Sequence, residues 1–196
     1  MRNFLLFVEG ESDAKFLKDF IKCQFDIDIS DDSIIVTKTF NGFVNYKDNF
    51  IGNSTKDDGV NILLIDADDN INQRQSDVLS LIKEHKISTE LFLMPNNSNN
   101  GNLEDLLCEI AVHKSILSCY DSYSFCIKSA DKIVPDKKDK IRAYLSALIS
   151  DKNKSGVRRD LIQYKNRNYL NTDHWDLTHS SLEPLKIFLS LFFSKN

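Results

Sequence analysis

The chain has 196 residues, of which 41% are hydrophobic and 28% are charged, with only six glycines and three prolines. These values exclude a disordered, fibrous or repetitive chain and predict one globular domain covering residues 1–196. A domain of this size needs neither disulfides nor a structural metal to be stable, so a bound ion would have a functional role. The four cysteines form no C-x-x-C pair, which predicts reduced thiols in a cytoplasmic protein.

The net charge is −4, but the two signs are unevenly distributed along the chain. Residues 132–167 carry eleven Lys or Arg and four Asp or Glu, whereas the remainder carries fourteen against 25. An acidic front followed by a basic back suits a protein that holds divalent cations with one part and phosphates with the other. The plainer interpretation of the basic segment is a solvated helical face.

No segment of the sequence predicts a membrane span or a secretory leader. The apolar run 4–8 ends at Glu9 and is too short for the core of a signal peptide. The run 185–193 is too short to cross a bilayer. We therefore expect a cytoplasmic protein without a membrane partner.

The first two thirds of the chain alternate short apolar runs with amphipathic stretches, which predicts βαβ units around a mainly parallel sheet. The predicted strands are 3–8, 33–39, 61–65 and 90–93. Amphipathic helices are predicted between them, the first with Ser12 as its N-cap, and the clearest helical pattern follows Asn102. The asparagine-rich stretch 96–101 predicts a flexible loop.

The last third of the chain is predicted to be helical. Apolar residues recur at helical spacing over 141–149 and again over 182–192. The polar stretch 151–156 predicts a turn rather than a linker. We therefore expect an α/β portion, residues 1–114, with a helical extension, residues 115–196, packed on it.

Carboxylates collect at the predicted carboxyl ends of the strands, which is where open α/β sheets carry their chemistry. Glu9 directly follows the first strand, and Asp13 lies one turn into the next helix. Asp66 and Asp68 follow the third strand. Residues i and i+2 at the end of a strand point to the same side. This D-x-D pair is therefore expected to share one ion or to bridge two ions.

Repulsion within such a cluster is relieved by a cation, and Mg²⁺ prefers oxygen ligands. Gly10 is expected to leave space beside Glu9 for a phosphate. The loop after the fourth strand adds Glu104 and Asp105 as further candidate ligands. Acids in a first turn also stabilise any helix, and Asn102 with Asp105 resembles a capping box, so both interpretations of this pair stay open.

These motifs carry a resemblance to a known family. The segments FLLFVEGESDAKFLKDF and NILLIDADDN resemble the Toprim domain of topoisomerases, primases and nucleases, and in particular the E-x-x-x-D variety of the overcoming-lysogenization-defect (OLD) nucleases. GNLEDLLCEIA and LEPLKIFLSLFF look like a small bacterial Toprim-like family of unassigned function. The resemblance implies a Toprim-like Rossmannoid domain with a central sheet of about four strands and a helical C-terminal extension.

The resemblance also implies roles for individual residues. It makes Glu9 a general acid/base or metal ligand, makes Asp66 and Asp68 Mg²⁺ ligands, and adds Asp13 through E-x-x-x-D. The D-x-D is followed by Asp69 where Toprim sequences often have glycine. No catalytic tyrosine or zinc module aligns, which argues against a topoisomerase.

The expected function is Mg²⁺-dependent cleavage of DNA or RNA phosphodiesters, with Mn²⁺ as a substitute ion. The expected catalytic residues are Glu9, Asp66 and Asp68. The alternative is a non-catalytic Toprim-like module that binds nucleic acid or nucleotide, or a regulatory subunit. A haloacid-dehalogenase phosphatase is disfavoured because that class places its D-x-D on the first strand. By analogy with the OLD proteins, we expect a separately encoded ATPase partner or a homodimer.

The basic segment supplies the expected nucleic-acid contacts, by neutralising phosphates beside aromatic side chains on which bases stack. The expected contact residues are Lys152, Lys154, Arg158, Arg159, Lys165 and Arg167. The interleaved aromatics are Tyr144, Tyr164, Tyr169 and Trp175. For each aromatic taken singly, packing in the core is the simpler interpretation.

Overall fold

The structure, a computed structural model, describes residues 3–56, 59–148, 163 and 166–194. Within these residues, four strands form one all-parallel sheet in the order β2-β1-β3-β4. The strands are β1 (Phe4–Val8), β2 (Ile34–Val36), β3 (Val60–Asp66) and β4 (Glu90–Met94). The predicted α/β class with four parallel strands is confirmed, although β2 is shorter than the predicted 33–39.

Seven α-helices are present in the described parts of the chain. They are α1 (Glu11–Phe25), α2 (Lys47–Ser54), α3 (Ile71–His85), α4 (Leu103–Ile110), α5 (Lys114–Ser129), α6 (Lys137–Leu148) and α7 (Glu183–Phe193). The first three connect successive strands, as parallel pairing requires. None of the described helices is long and apolar enough to span a membrane.

The core has two layers because successive strand residues point to opposite faces of the sheet. On one face, Leu6 and Val8 are buried in a cluster with side chains from α1, α4, α6 and α7. On the other face, Phe7 is buried with Leu63 and with Phe50 from α2, whose ring stacks on that of Phe7 with the centroids 3.6 Å apart. The sheet is therefore covered by helices on both faces.

The C-terminal helices share the first of these two clusters. Tyr144 of α6 and Leu189 of α7 are fully buried in it together with Leu6. The ring of Phe193 lies 4.4 Å from that of Phe4 on β1, centroid to centroid. The helical extension thus packs directly on the sheet. The predicted turn 151–156 lies outside the described residues.

The asparagine-rich loop 96–101 is held by its own side chains. The Asn96 Oδ1 accepts hydrogen bonds from two backbone N–H groups of the loop. The Asn100 amide donates to the Asp69 carbonyl and accepts from the Ile71 N–H, at 2.6 and 2.9 Å. These bonds attach the loop to the turn after β3, whereas the composition alone predicted a flexible loop.

The strand order reverses direction between β1 and β3, which makes this position the topological switch point of the sheet. From β1 the chain crosses to β2 on one side, and it then returns to form β3 on the other side of β1. The two helical connections therefore diverge at the carboxyl ends of β1 and β3 and leave a crevice, which is where ligands bind in open α/β sheets.

Candidate functional site

A pocket of about 180 Å³ lies at this switch point. It is lined by Glu9, Gly10, Glu11, Ser12, Asp13, Lys38, Asp66, Glu104 and Lys138. These residues come from the ends of three strands and from the first turns of α1, α4 and α6. We call it the acidic pocket. It brings together four of the six predicted metal ligands.

Glu9 and Asp66 join the two central strands at the rim of the acidic pocket. Glu9 follows β1, and its Oε1 accepts a hydrogen bond from the Asp66 backbone N–H at 3.1 Å. Asp66 ends β3, and its Oδ1 accepts from the Leu103 N–H at 3.1 Å. One oxygen of each carboxylate is thus committed to the backbone, and the pair also positions the start of α4.

Gly10, rather than the predicted Ser12, is the N-cap of α1. The Asp13 Oδ2 accepts a hydrogen bond from the Gly10 N–H at 2.9 Å, which orients the carboxylate over the helix start. A Cβ at residue 10 would lie 2.8 Å from that oxygen. The space that glycine provides beside Glu9 is therefore occupied by Asp13, whereas the sequence suggested a phosphate.

Glu104 and Asp105 are neighbours in the first turn of α4 with different surroundings. Glu104 is only 4% exposed and lines the acidic pocket. Asp105 forms the predicted capping box with Asn102, with bonds of 3.0 and 3.1 Å. Its carboxylate also pairs with Lys137 at 2.7 Å. Asp105 does not line the acidic pocket.

Asp68 does not form the expected ligand pair with Asp66. Its φ is +51°, in the left-handed region that aspartate tolerates better than most residues. Because strand alternation ends there, its carboxylate turns to an ion pair with Arg74 and lines a neighbouring cavity of about 410 Å³. The Arg74 guanidinium in turn lies 4.0 Å from the centroid of the Phe40 ring.

Three carboxylates of the acidic pocket, those of Glu9, Asp13 and Asp66, have raised pKa values. Burial, and then repulsion from Glu104 and Glu9, raises the pKa of Asp13 to about 7. Burial followed by the charges of Asp13 and Glu9 raises the pKa of Asp66 well above its ordinary range. Burial also raises the pKa of Glu9, against the opposing effect of its bond to the Asp66 N–H.

Two lysines of the acidic pocket were missed by the sequence reasoning. Lys38 follows β2, but it lies inside the longer strand predicted from the sequence, 33–39, so the strand-end rule that found Glu9 was not applied to it. Its φ of +70° marks a sharp turn, closed by a bond from its N–H to the Glu9 carbonyl at 2.9 Å. Lys138 lies in the first turn of α6, and no local pattern distinguished it from its basic neighbours.

The predicted nucleic-acid contacts are mostly outside the described residues. This applies to Lys152, Lys154, Arg158, Arg159 and Lys165. Arg167 is described, and it is 1% exposed rather than part of an open basic surface. Its Nη1 donates to the hydroxyls of Ser12 and Tyr169 at 3.3 and 3.4 Å, so its predicted role as an exposed phosphate contact is wrong.

Three of the interleaved aromatics belong to the core, as the simpler interpretation held. Tyr144, Tyr169 and Trp175 are at most 1% exposed. The rings of Tyr144 and Tyr169 lie 5.1 and 5.6 Å from that of Trp175. None of the three offers a face on which a base could stack. Tyr164 lies outside the described residues.

The donor chemistry of the acidic pocket fits a hard divalent cation. All four of its predicted ligands offer carboxylate oxygens, the donors that Mg²⁺ prefers. The pKa values of three of them are raised by burial and, for Asp13 and Asp66, also by repulsion from neighbouring carboxylates. In the part of the chain that the structure describes, no three His, Cys, Asp or Glu side chains form a group ready to hold an ion. Binding would therefore require the carboxylates to rearrange.

The fold and the site define a three-layer α/β protein with a carboxylate-lined pocket at the switch point of a parallel sheet. Residues 3–194 match the family described as "Protein of unknown function (DUF3226)", and the chain belongs to that family. No curated protein and no solved structure matches the chain.

Proposed function

We propose that the protein is a Mg²⁺-dependent phosphodiester hydrolase of the nuclease type, with DNA or RNA as its substrate. The observation that carries the proposal is the acidic pocket, in which five carboxylates, four of them predicted metal ligands, and two lysines meet at the switch point. Carboxylates suit a divalent cation, and lysines beside them suit the phosphate that such a cation would activate. The resemblance to Toprim nucleases agrees with this chemistry.

Glu9, Asp13, Asp66 and Glu104 would hold the ion. When bound, Mg²⁺ would supply a polarised phosphoryl oxygen and a water activated for attack. Mn²⁺ would substitute, since it accepts the same oxygen ligands. Asp68 would contribute only after release from Arg74, and Asp105 only after release from Lys137. These two rank below the residues that line the pocket.

The chain's own groups would bind the substrate and hold protons. Lys38 and Lys138 line the pocket on the turn after β2 and on α6, so a phosphate between them would be bound by cations from two separate elements. Without the ion, Asp13 holds a proton in part of the population at neutral pH, since its pKa is about 7, so binding of Mg²⁺ would release that proton.

The remaining parts of the proposal rest on the sequence. The basic residues between 152 and 165 would hold the nucleic-acid strand, and a separately encoded ATPase or a second copy of the chain would be the partner. The four free cysteines agree with a cytoplasmic location. The described helices provide no membrane span.

The test is cleavage of labelled single-stranded and duplex DNA and RNA in Mg²⁺ or Mn²⁺. Glu9→Gln keeps the shape of the side chain and removes a ligand charge, so we expect activity to fall by at least about a hundredfold. Glu84→Gln makes the same change on an exposed face of α3 and should leave activity unchanged. Equal loss in both variants, or no cleavage by the parent protein, would contradict the proposal.

A non-catalytic module that binds nucleotide or nucleic acid is the second candidate. Two observations favour it. The described residues contain no ready-made group of metal ligands, and the acidic pocket has two lysines that could bind a phosphate. This candidate predicts phosphate binding that does not depend on a divalent ion and no turnover at high enzyme concentration. The same cleavage assay, paired with binding measured in a chelator, separates the two functions.

A further inference from the structure

Ser12 lies in the wall of the acidic pocket and is connected to a buried polar cluster behind it. The residue is 8% exposed, and its hydroxyl lies 3.3 Å from the Tyr169 hydroxyl and 3.3 Å from the Arg167 Nη1. Arg167 and Tyr169 belong to the segment that follows α6, more than 150 residues along the chain. Gly10, and not Ser12, is the N-cap of α1, so the Ser12 hydroxyl is not used to cap the helix.

The hydrogen bonds of this cluster have a preferred direction. A guanidinium only donates, so Arg167 occupies one lone pair on each of the two hydroxyls. Of the two hydroxyls, one then donates to the other. In the described residues the Tyr169 hydroxyl has no further acceptor, so its proton is satisfied only by donation to Ser12. Donation from Tyr169 leaves the Ser12 proton without an acceptor among the described residues, and Ser12 lines the acidic pocket.

Two further contacts hold Tyr169 in this position. Its backbone N–H donates to the Asp19 Oδ2 at 2.9 Å, and its ring meets that of Phe16 edge to face at 5.4 Å. Both partners are on α1, the helix that carries Ser12. The tyrosine therefore cannot move away from Ser12 without breaking contacts to the same helix.

We propose that Ser12 donates a hydrogen bond to a phosphate oxygen of the substrate in the acidic pocket. Tyr169 and Arg167 are positioning residues that act through it. This inference deepens the proposed function and rests on it for the substrate class. It assigns Arg167 and Tyr169, which follow α6, a part in the site. Their bonds set the direction of the Ser12 hydroxyl, which α1 contributes to the pocket wall.

The probes are inorganic phosphate, titrated in the presence of Mg²⁺, and a single-stranded oligonucleotide, for which kcat and KM are measured. Because a hydrogen bond to a charged group is lost, Ser12→Ala should weaken phosphate binding about tenfold and raise KM with little change in kcat. Ser12→Thr keeps the hydroxyl and should retain most of the affinity. Tyr169→Phe should weaken binding about threefold, since it removes only the orienting bond.

A double-mutant cycle separates positioning from a structural effect. If Tyr169 acts through Ser12, Tyr169→Phe should have no effect on phosphate affinity in a Ser12→Ala background. The matched control is Tyr144→Phe, which alters a buried tyrosine against the same Trp175 with its hydroxyl bonded to the His174 carbonyl. That variant should lower the melting temperature and leave phosphate affinity unchanged.

The outcomes distinguish this inference from the proposed function. A parent protein that cleaves, together with Ser12→Ala that binds and cleaves normally, overturns the role of Ser12 alone. A parent protein that does not cleave but loses phosphate affinity on Ser12→Ala supports the role of Ser12 and overturns the hydrolase. A parent protein that binds no phosphate, or additive effects in the cycle, overturns the inference.

Discussion

Asp13 is a side chain of the acidic pocket that titrates near neutral pH. Its pKa of about 7 follows from burial next to Glu104 and Glu9. A carboxyl group whose pKa is higher in the folded than in the unfolded chain binds more protons when folded. The folded state without metal therefore loses stability as the pH rises from about 4, the unfolded value, through 7.

We expect the metal-free protein to lose roughly 2–4 kcal/mol of unfolding free energy between pH 4 and pH 8 from this group. Asp13→Asn still accepts the bond from the Gly10 N–H but does not ionise, so it should flatten this dependence and melt higher than the parent at pH 8. Urea denaturation across the pH range in a chelator measures both effects. A parallel shift of the two profiles would contradict this assignment.

Asp66 and Asp68 share a motif but differ in their surroundings, and the difference can be measured. Asp66 lines the acidic pocket, whereas Asp68 pairs with Arg74 beside the neighbouring cavity. Asp66→Asn should abolish most of the rise in melting temperature that Mg²⁺ gives the parent. Asp68→Asn should keep most of that rise and change stability by less than about 1 kcal/mol, as expected for a pair whose carboxylate is about half exposed.

Asp69→Asn is the matched control for these two variants, since it makes the same change one residue further along the same turn at an exposed position. It should leave the response to Mg²⁺ unchanged. If Asp68→Asn loses the response as fully as Asp66→Asn, the ion recruits Asp68 away from Arg74, and both aspartates of the motif are ligands.

Among the elements, the start of α1 has little room for added volume. Gly10 has an extended backbone that any residue adopts, with φ −132° and ψ 166°, so only the contact of a new Cβ with Asp13 matters. Gly10→Ala should displace the Asp13 carboxylate and weaken its bond to the backbone, at a cost of about 0.5–1.5 kcal/mol. The change should be nearly absent in an Asp13→Ala background.

Gly52 supplies the control for this experiment. It lies inside α2, and a Cβ there would meet no atom within 4 Å. Gly52→Ala should therefore stabilise the protein by about 0.5–1 kcal/mol, because alanine favours the helix. Chemical denaturation of the two variants side by side measures the contrast. Equal effects of the two substitutions would show that the contact at residue 10 is relieved without cost.

Across the whole molecule, the sheet was the part most accessible to sequence reasoning. Three of the four predicted strands lie within two residues of the observed ones, because a buried parallel strand is a continuous apolar run. The same reasoning predicted that the carboxylates meet at the carboxyl edge of the sheet. The second strand was overestimated because the backbone turns at Lys38, whose φ is +70°, directly after the Thr37 N–H bonds the Val8 carbonyl.

Details of the site depended on information that local patterns do not carry. Because the backbone of Asp68 is left-handed, its side chain does not lie on the side that strand alternation predicts. The burial of Arg167 depends on residues 155 positions away. The choice of Gly10 over Ser12 as the N-cap depends on Asp13 bonding back to the helix start. Each of these outcomes is set by tertiary contacts or by one dihedral angle, which residue spacing does not determine.

The contacts between Ser12 and the segment after α6 impose an order of assembly during synthesis. Residues 167 and 169 are made long after α1, and the segment is also joined to the end of α4 by a bridge between Ala111 and Trp175. While the ribosome is still translating α6, the sheet and its carboxylates can already be in place, whereas the hydroxyl donor is not yet oriented. A nascent chain would thus acquire the proposed cation ligands before the proposed phosphate site is complete.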